Sequence, residues 1–393
     1  MDSAGGIGRR RLLGLTAAGV VAAAAPVANA DPVDCDIPPA TRPGGAYDRY
    51  VAQLAAEGRF SGVVMLSHRG RTVLSRSYGL ADRENGIRNH EGIAFSLSSA
   101  GKPFGAVAVL QLVQQGKLKL SDTVGTYLTG YAKEIADKVT IHHLLSGTSG
   151  TTSPDEDVQR VFQSREEVHA YYEQWARQST PVDPPGTPTD HVAAEVQIPA
   201  QIVEAVSGQS YWDYVQDNIF RRCGMTGTGF FTRPQWLTDP HIAHPYMTLA
   251  DGSQVDAVRH LDQGSPAPDV LGKNPGRAFI DAPGDGGFAT APDLVRFGQA
   301  LFDGTLLDRP WADVLTGAKI PHGPTSFGAY SLPVHILNRQ WVFGRAGANP
   351  GVAASWNIYP DTGWIGVTLG NSDGLPLQEM SVRESQAVTE ASC

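Results

Sequence analysis

Apolar residues between 102 and 114 recur at helical spacing, with Val107, Leu110 and Val113 forming one stripe among alanines and glutamines. Residues 47–54 carry a shorter version of the same pattern. By contrast, residues 61–68 and 72–78 are apolar-rich runs about Arg69-Gly70-Arg71, which predicts a β-hairpin. The stretch 79–94 is polar and reads as a loop. Helices are expected within 139–150, and over 157–177, 198–206, 211–220 and 293–302. Thr140 caps the first of these and glycines stop it. Pro199 must fall in the first turn of its helix, because it has no N–H to donate.

Residues 181–186 break the pattern, and 230–280, rich in Pro, Gly, Asp and His, predict long irregular loops. Strands return at 340–343, 352–359 and 364–370. The last two alternate poorly and are largely apolar, as expected of strands covered on both faces. Two strands before the helical middle and three after it predict one sheet made from both ends of the chain.

With 393 residues, of which 41% are hydrophobic, the chain can bury a sizeable core and has room for two lobes. Its formal charge of −9 comes with no basic block in the body, so nothing points to a nucleic-acid surface and no nucleic-acid partner is expected. The first thirty residues are of another kind. Arg9-Arg10-Arg11-Leu12-Leu13 precedes an Ala/Val-rich stretch ending at Ala28-Asn29-Ala30, the layout of an export signal of the twin-arginine type cleaved near Ala30. The apolar run is short for a retained anchor. A secreted or periplasmic protein with no stable membrane insertion is therefore expected.

Cys35, Cys223 and Cys393 are odd in number and widely spaced, so the fold should not depend on a disulfide network. Cys35 also lacks the Leu-x-x lead of a lipidation site. Neither a cofactor nor a metal is expected. The nearest ligand-like pair, His142-His143, would diverge on a helix.

The candidate chemistry lies in residues 95–104, Phe-Ser-Leu-Ser-Ser-Ala-Gly-Lys-Pro-Phe. Ser99 and Lys102 are three apart, so on a helix they share a face roughly 5–6 Å apart at Cβ. A serine in the first turn has free amides and the helix dipole beside it, which favour developing negative charge. Lys102 can accept the serine proton where burial or another cation lowers its pKa. By itself, however, Ser-x-x-Lys also describes an N-cap serine followed by a surface lysine.

Five stretches in order resemble the serine β-lactamase-like superfamily, in the group holding class C β-lactamases, D-alanyl-D-alanine carboxypeptidases and β-lactamase-fold esterases. They are residues 95–102, 120–128, 141–150, 185–208 with Gly224-Met225, and 344–351 with the strands that follow. The resemblance implies an α/β fold, an antiparallel sheet flanked by helices plus a mostly helical second lobe. Residues 46–115 and 281–373 would form the α/β lobe and 116–280 the helical and loop lobe. A linker at 31–45 and a tail at 374–393 would flank them. The resemblance also implies acyl transfer through Ser99, activated by Lys102. The oxyanion hole would join the Ser99 amide to one from the strand after Gly347.

Two family motifs are altered. Where the family shows Tyr-x-Asn, this chain has His191-Val192-Ala193, in a register set by Ile202 to Gly208. Where the family has Lys-Thr-Gly or His-x-Gly, it has Arg345-Ala346-Gly347, expected to bind substrate. Gly147 replaces the histidine common in the Leu-Leu-Ser-His loop. Histidine can carry protons near neutrality, so His191 is a third catalytic candidate. Arg345 cannot exchange protons but can grip a carboxylate in two bonds, or instead pair with Asp190 or Asp285.

These residues lean toward an enzyme, a serine hydrolase or acyltransferase acting on an ester or amide of a small organic or peptide-like compound that can carry a carboxylate. Two other readings stay open: a binding protein on a catalytically degenerate fold, and an enzyme using the same cleft for non-acyl chemistry.

Overall fold

The computed structural model describes residues 37–189 and 192–390. The export segment, Cys35, Asp190, His191 and Cys393 lie outside them. The centre is a fully antiparallel sheet of eight strands: β1 (Gly62–His68), β2 (Arg71–Tyr78), β3 (Ile320–Gly323), β4 (Ser326–Gly328), β5 (Pro333–Leu337), β6 (Gln340–Asn349), β7 (Val352–Tyr359) and β8 (Trp364–Gly370). They lie in the order β3-β4-β5-β6-β7-β8-β1-β2, so the two ends of the chain meet where β8 pairs with β1. Every residue of β1 and β8 is buried.

Side chains alternate across a strand, so covering both faces buries every residue. On one face Val64, Leu66 and Trp364 pack with Tyr47, Val51, Met380 and Val388. On the other, Val63, Met65, Trp356 and Val367 pack with Phe104 and Phe297. The first face is covered by α1 (Ala46–Ala56) and by a helix at Leu377–Thr389. Opposite them lie α2 (Lys102–Gln114) and a helix at Ala291–Ala300.

The middle of the chain contributes α3 (Ile141–Ser146), α4 (Arg165–Arg177) and α5 (Ala194–Ser207). Thr140 caps α3 as expected, and Gly147 ends it in the left-handed region at φ 70°. Residues 230–280 hold only short pieces, among them a two-strand ladder of Tyr246–Thr248 with Gln254–Asp256. No helix among the described residues is long and apolar enough to cross a membrane.

Several expectations are corrected. The C-terminal stretch is not a tail: residues 377–389 form a helix whose Met380 and Val388 are buried. Within the supposed linker, Pro39–Thr41 makes a 3₁₀ turn with Ala40 and Thr41 buried. Three strands, β3 to β5, precede the three foreseen in the closing third, and β6 runs six residues beyond 343. Helix α4 begins at Arg165 rather than 157, because the Ser164 hydroxyl accepts the Glu167 amide. Pro199 sits inside α5, which starts at Ala194.

Candidate active site

Residues Ser98–Gly101 form a 3₁₀ turn that runs straight into α2 at Lys102. In such a turn, side chains three apart nearly eclipse, so Ser99 and Lys102 face the same way. The Lys102 amide closes the turn on the Ser99 carbonyl. Ser98, just ahead of the candidate nucleophile, is held at φ 47°, a conformation few residues other than glycine adopt. Its hydroxyl donates to the Ala348 carbonyl at 3.0 Å.

Other anchors fix this turn from several sides. Trp356 Nε1 donates to the Ala100 carbonyl at 2.9 Å, and the Leu97 amide donates to the Gly287 carbonyl at 2.8 Å. Strand β6 crosses so closely that a Cβ on Gly347 would lie 2.3 Å from Leu97 O and 2.6 Å from Ser99 N. A Cβ on Gly101 would lie 2.4 Å from Gly286 Cα. Both glycines are close-approach residues, and the first brings the Ser99 amide to β6. Ser99 itself is half-buried.

Arg345 is put to a use the sequence did not foresee. Its Nε donates to the Ser99 carbonyl at 3.2 Å and one terminal nitrogen to the Ser331 carbonyl at 3.4 Å. The guanidinium thus ties the serine turn to the loop before β5. Neighbouring Ala346 is exposed on β6, and Gly347 is buried against the turn.

Lys102 is buried, and desolvation, with Arg345 adding repulsion, brings its ammonium down to about 8. Asp285 and Glu195 act in the opposite direction. Glu195, at the start of α5, accepts the Ser149 amide (3.0 Å), the Ser149 hydroxyl (2.6 Å) and the Thr189 hydroxyl (2.6 Å). Burial nonetheless pushes its carboxyl up. This carboxylate fastens the 147–150 loop to the chain that leads to His191, whose own position is not among the described residues. Ala193, at the family's asparagine position, is half-buried.

In the sequence Asp285 offers itself only as a partner for Arg345, and Glu195 carries no signal of a site residue. The run Gly284-Asp285-Gly286-Gly287 was the signal available for the first. Asp122 and Tyr127 hydrogen-bond to each other at 2.6 Å, as structural residues.

One group of metal-ligand type does come together among the described residues: Asp82, His244 and Asp256, all buried. Its members are far apart in sequence, which hid it. Arg259 fills it, donating to both oxygens of Asp82 (3.1 and 2.8 Å) and to Asp256, while His244 Nδ1 lies 2.7 Å from Asp256. The guanidinium supplies the positive charge that a cation would bring, and the cluster joins the 80–82 strand to the 244–259 loops.

A model of the Beta-lactamase family matches residues 47–389. The chain belongs to this family. A putative penicillin-binding protein, PbpX, of Bacillus subtilis (strain 168) is 28% identical over 320 residues, covering 79% of this chain and 69% of the relative. Esterase EstB of Burkholderia gladioli is 41% identical over 108 residues, 26% of this chain and 28% of that esterase. Among solved structures, EstCE1, a hydrolase with promiscuous acyltransferase activity, superposes with a TM-score of 0.70 at 22% identity, over 87% of this chain and 97% of that one. A penicillin-binding protein from Bacillus halodurans gives 0.71 at 24% identity, over 85% and 97%. These structural likenesses speak for the fold. Membership of the Beta-lactamase family places the chain, at superfamily level, among serine hydrolases, esterases and acyltransferases.

Proposed function

We propose that this chain is an exported serine hydrolase or acyltransferase in which Ser99 is acylated by an ester or amide of a small organic or peptide-like compound. The observation that carries this reading is the buried Lys102 beside a rigidly held Ser99. With its ammonium near 8, Lys102 is neutral in an appreciable fraction of molecules at pH 7 to 8. It takes the Ser99 proton as the hydroxyl oxygen attacks the carbonyl carbon. The tetrahedral oxyanion is held by the Ser99 amide and one from β6 beyond Gly347. Collapse expels the alcohol or amine, which takes up a proton from Lys102 directly or by way of His191. Water or a second alcohol or amine then releases the acyl group. Esters suit this site better than β-lactams or peptides, because Ala193 offers no amide side chain to a substrate amide.

Arg345 keeps its positive charge close to the serine, and that field favours a substrate carrying a carboxylate. The Arg9-Arg10-Arg11-Leu12-Leu13 leader supports export, with cleavage near Ala30. Intact-mass analysis after exposure to an activated acyl ester, a β-lactam and a fluorophosphonate tests the reading. An adduct is expected with the ester and the fluorophosphonate, absent in Ser99→Ala and slowed in Lys102→Ala and His191→Ala. Folded protein that takes no adduct from any reagent would sink the Ser99 mechanism and favour a binding role.

A further inference from the structure

Two carboxylates on the segment that packs against the Ser99 turn have no part in the acyl-transfer scheme. Gly101 and Gly286 stand backbone to backbone, a Cβ on Gly286 falling 2.3 Å from Gly101 Cα. Lys102 follows one of these glycines and Asp285 precedes the other, so the contact carries the carboxylate to the lysine. The Asn349 side chain, at the end of β6, hydrogen-bonds Asp285. Asp281 lies deeper, at 7% exposure. One of its oxygens accepts the Gly287 amide, while Oδ2 has no hydrogen-bond partner among the described residues.

Burial raises both carboxyls, and the charge of Asp285 raises Asp281 further, to about 8. Other charges act on Asp285 as well. Glu156 pushes it up, while Lys102 and Lys273 pull it down. Glu156 is itself ion-paired to Lys273 at 3.4 Å and accepts a hydrogen bond from the Tyr172 hydroxyl. Lys102 in turn faces Arg345 and Lys273 as like charges and Asp285 and Glu195 as opposite ones.

We propose that Asp281 and Asp285 hold one proton between them, on Asp281, and that the single negative charge left on Asp285 makes it a positioning residue that sets when Lys102 gives up its proton. This rests on the acyl-Ser99 reading. Asp281 keeps the proton because it is the deeper of the two and leaves one oxygen without a partner. Asp285 keeps the charge because two ammonium groups face it and Asn349 binds it. The consequence for catalysis is direct. Burial and Arg345 together lower Lys102, and a less basic lysine draws the serine proton more weakly and is protonated in a smaller fraction of molecules. A general base that must also act as an acid works best with its pKa near the working pH. The counter-charge on Asp285 holds it there.

The test is the rate of fluorophosphonate labelling of Ser99 in the full chain from pH 5 to 10, followed by intact mass. In the wild type the rate rises through a limb near the Lys102 value of about 8. In Asp285→Asn a carboxylate that acts on Lys102 is gone and Asp281, which is not among the charges acting on that lysine, does not replace it, so the limb falls by about one pH unit. Asp281→Asn leaves Asp285 ionised and the limb in place, as does Asp285→Glu. An unshifted limb in Asp285→Asn, or an equal shift in Asp281→Asn, overturns the placing of the proton on Asp281 and the charge on Asp285. Acetylation of Lys102 by acetic anhydride, followed over the same pH range by peptide mass, reads the lysine without using Ser99. If the wild type takes no fluorophosphonate, the acyl-serine reading fails. The acetylation profile still decides the charge claim, which stands only if Asp285→Asn alone moves it to lower pH.

Discussion

Gly347→Ala isolates the role of β6 in holding the nucleophile. The added methyl would sit 2.3 Å from Leu97 O, 2.4 Å from Ala100 N and 2.6 Å from Ser99 N. All three are backbone atoms, so no flexible side chain can swing away. A carbon-to-oxygen contact relaxes only at about 3.3 Å or more, so strand and turn must part by about 1 Å. The turn cannot yield alone, being pinned by Trp356 to Ala100 and by Gly287 to Leu97. Overpacking of this kind costs about 1–3 kcal/mol of stability. A 1 Å displacement of reacting groups costs about 10²-fold in rate. Urea denaturation and the fluorophosphonate rate at pH 8 measure the two effects. The expected result is folded protein, a midpoint lowered by that modest amount, and labelling slowed about a hundredfold. A variant that labels at the wild-type rate would refute the claim that β6 sets the Ser99 position.

Three further predictions use the charges of the fold. Arg345→Gln removes a cation that depresses Lys102, so the labelling limb should move to higher pH, opposite to Asp285→Asn; movement downward refutes the assignment. Glu384, buried in the C-terminal helix between Asn357 (2.9 Å) and Tyr359 (3.1 Å), is pushed up to about 7, chiefly by desolvation. A raised carboxyl binds more protons folded than unfolded, so it lowers stability as pH rises from about 4.5 through 7. Glu384→Gln should therefore be more stable at pH 8 by up to about 3 kcal/mol and lose the difference below pH 4.5, read by urea midpoints against pH. Glu195→Ala strands the Ser149 amide and should cost about 1.5–3 kcal/mol, while Glu195→Gln, which keeps an acceptor, should cost less; equal midpoints for the two would refute that role.

The parts of the fold legible in the sequence were those whose signal is local. Strands β7 and β8 begin and end where their largely apolar runs do, because both faces are covered and even Ser355 and Thr368 are buried. Strands β3 to β5 were invisible for the opposite reason: they are short, partly exposed, and carry Pro, Gly and His that read as loop. On its local preference Pro199 belongs in a first helical turn, yet tertiary packing of Ala194, Ile198 and Ile202 carries the helix four residues further back than Ile198. In the site the same division holds. Ser99 and Lys102 lie within one turn and could be paired from spacing alone. Asp281 and Asp285 reach them only through a glycine contact between segments nearly two hundred residues apart, which no periodicity records.

That contact also bears on the altered third motif. An arginine in place of a lysine or histidine cannot pass protons, which on the sequence alone counts against catalysis. In the fold the guanidinium binds the Ser99 and Ser331 carbonyls, so it serves the geometry of the nucleophile rather than proton traffic. Its fixed charge depresses Lys102, and a carboxylate stands at Asp285 to oppose it. Arg345 and Asp285 are therefore one electrostatic arrangement. Neutralising both in Arg345→Gln/Asp285→Asn should bring the labelling limb back toward its wild-type position, although each alone moves it in a different direction. A double variant whose limb stays with either single variant would mean that the two charges act on Lys102 by separate routes, and the compensation argued here would fall.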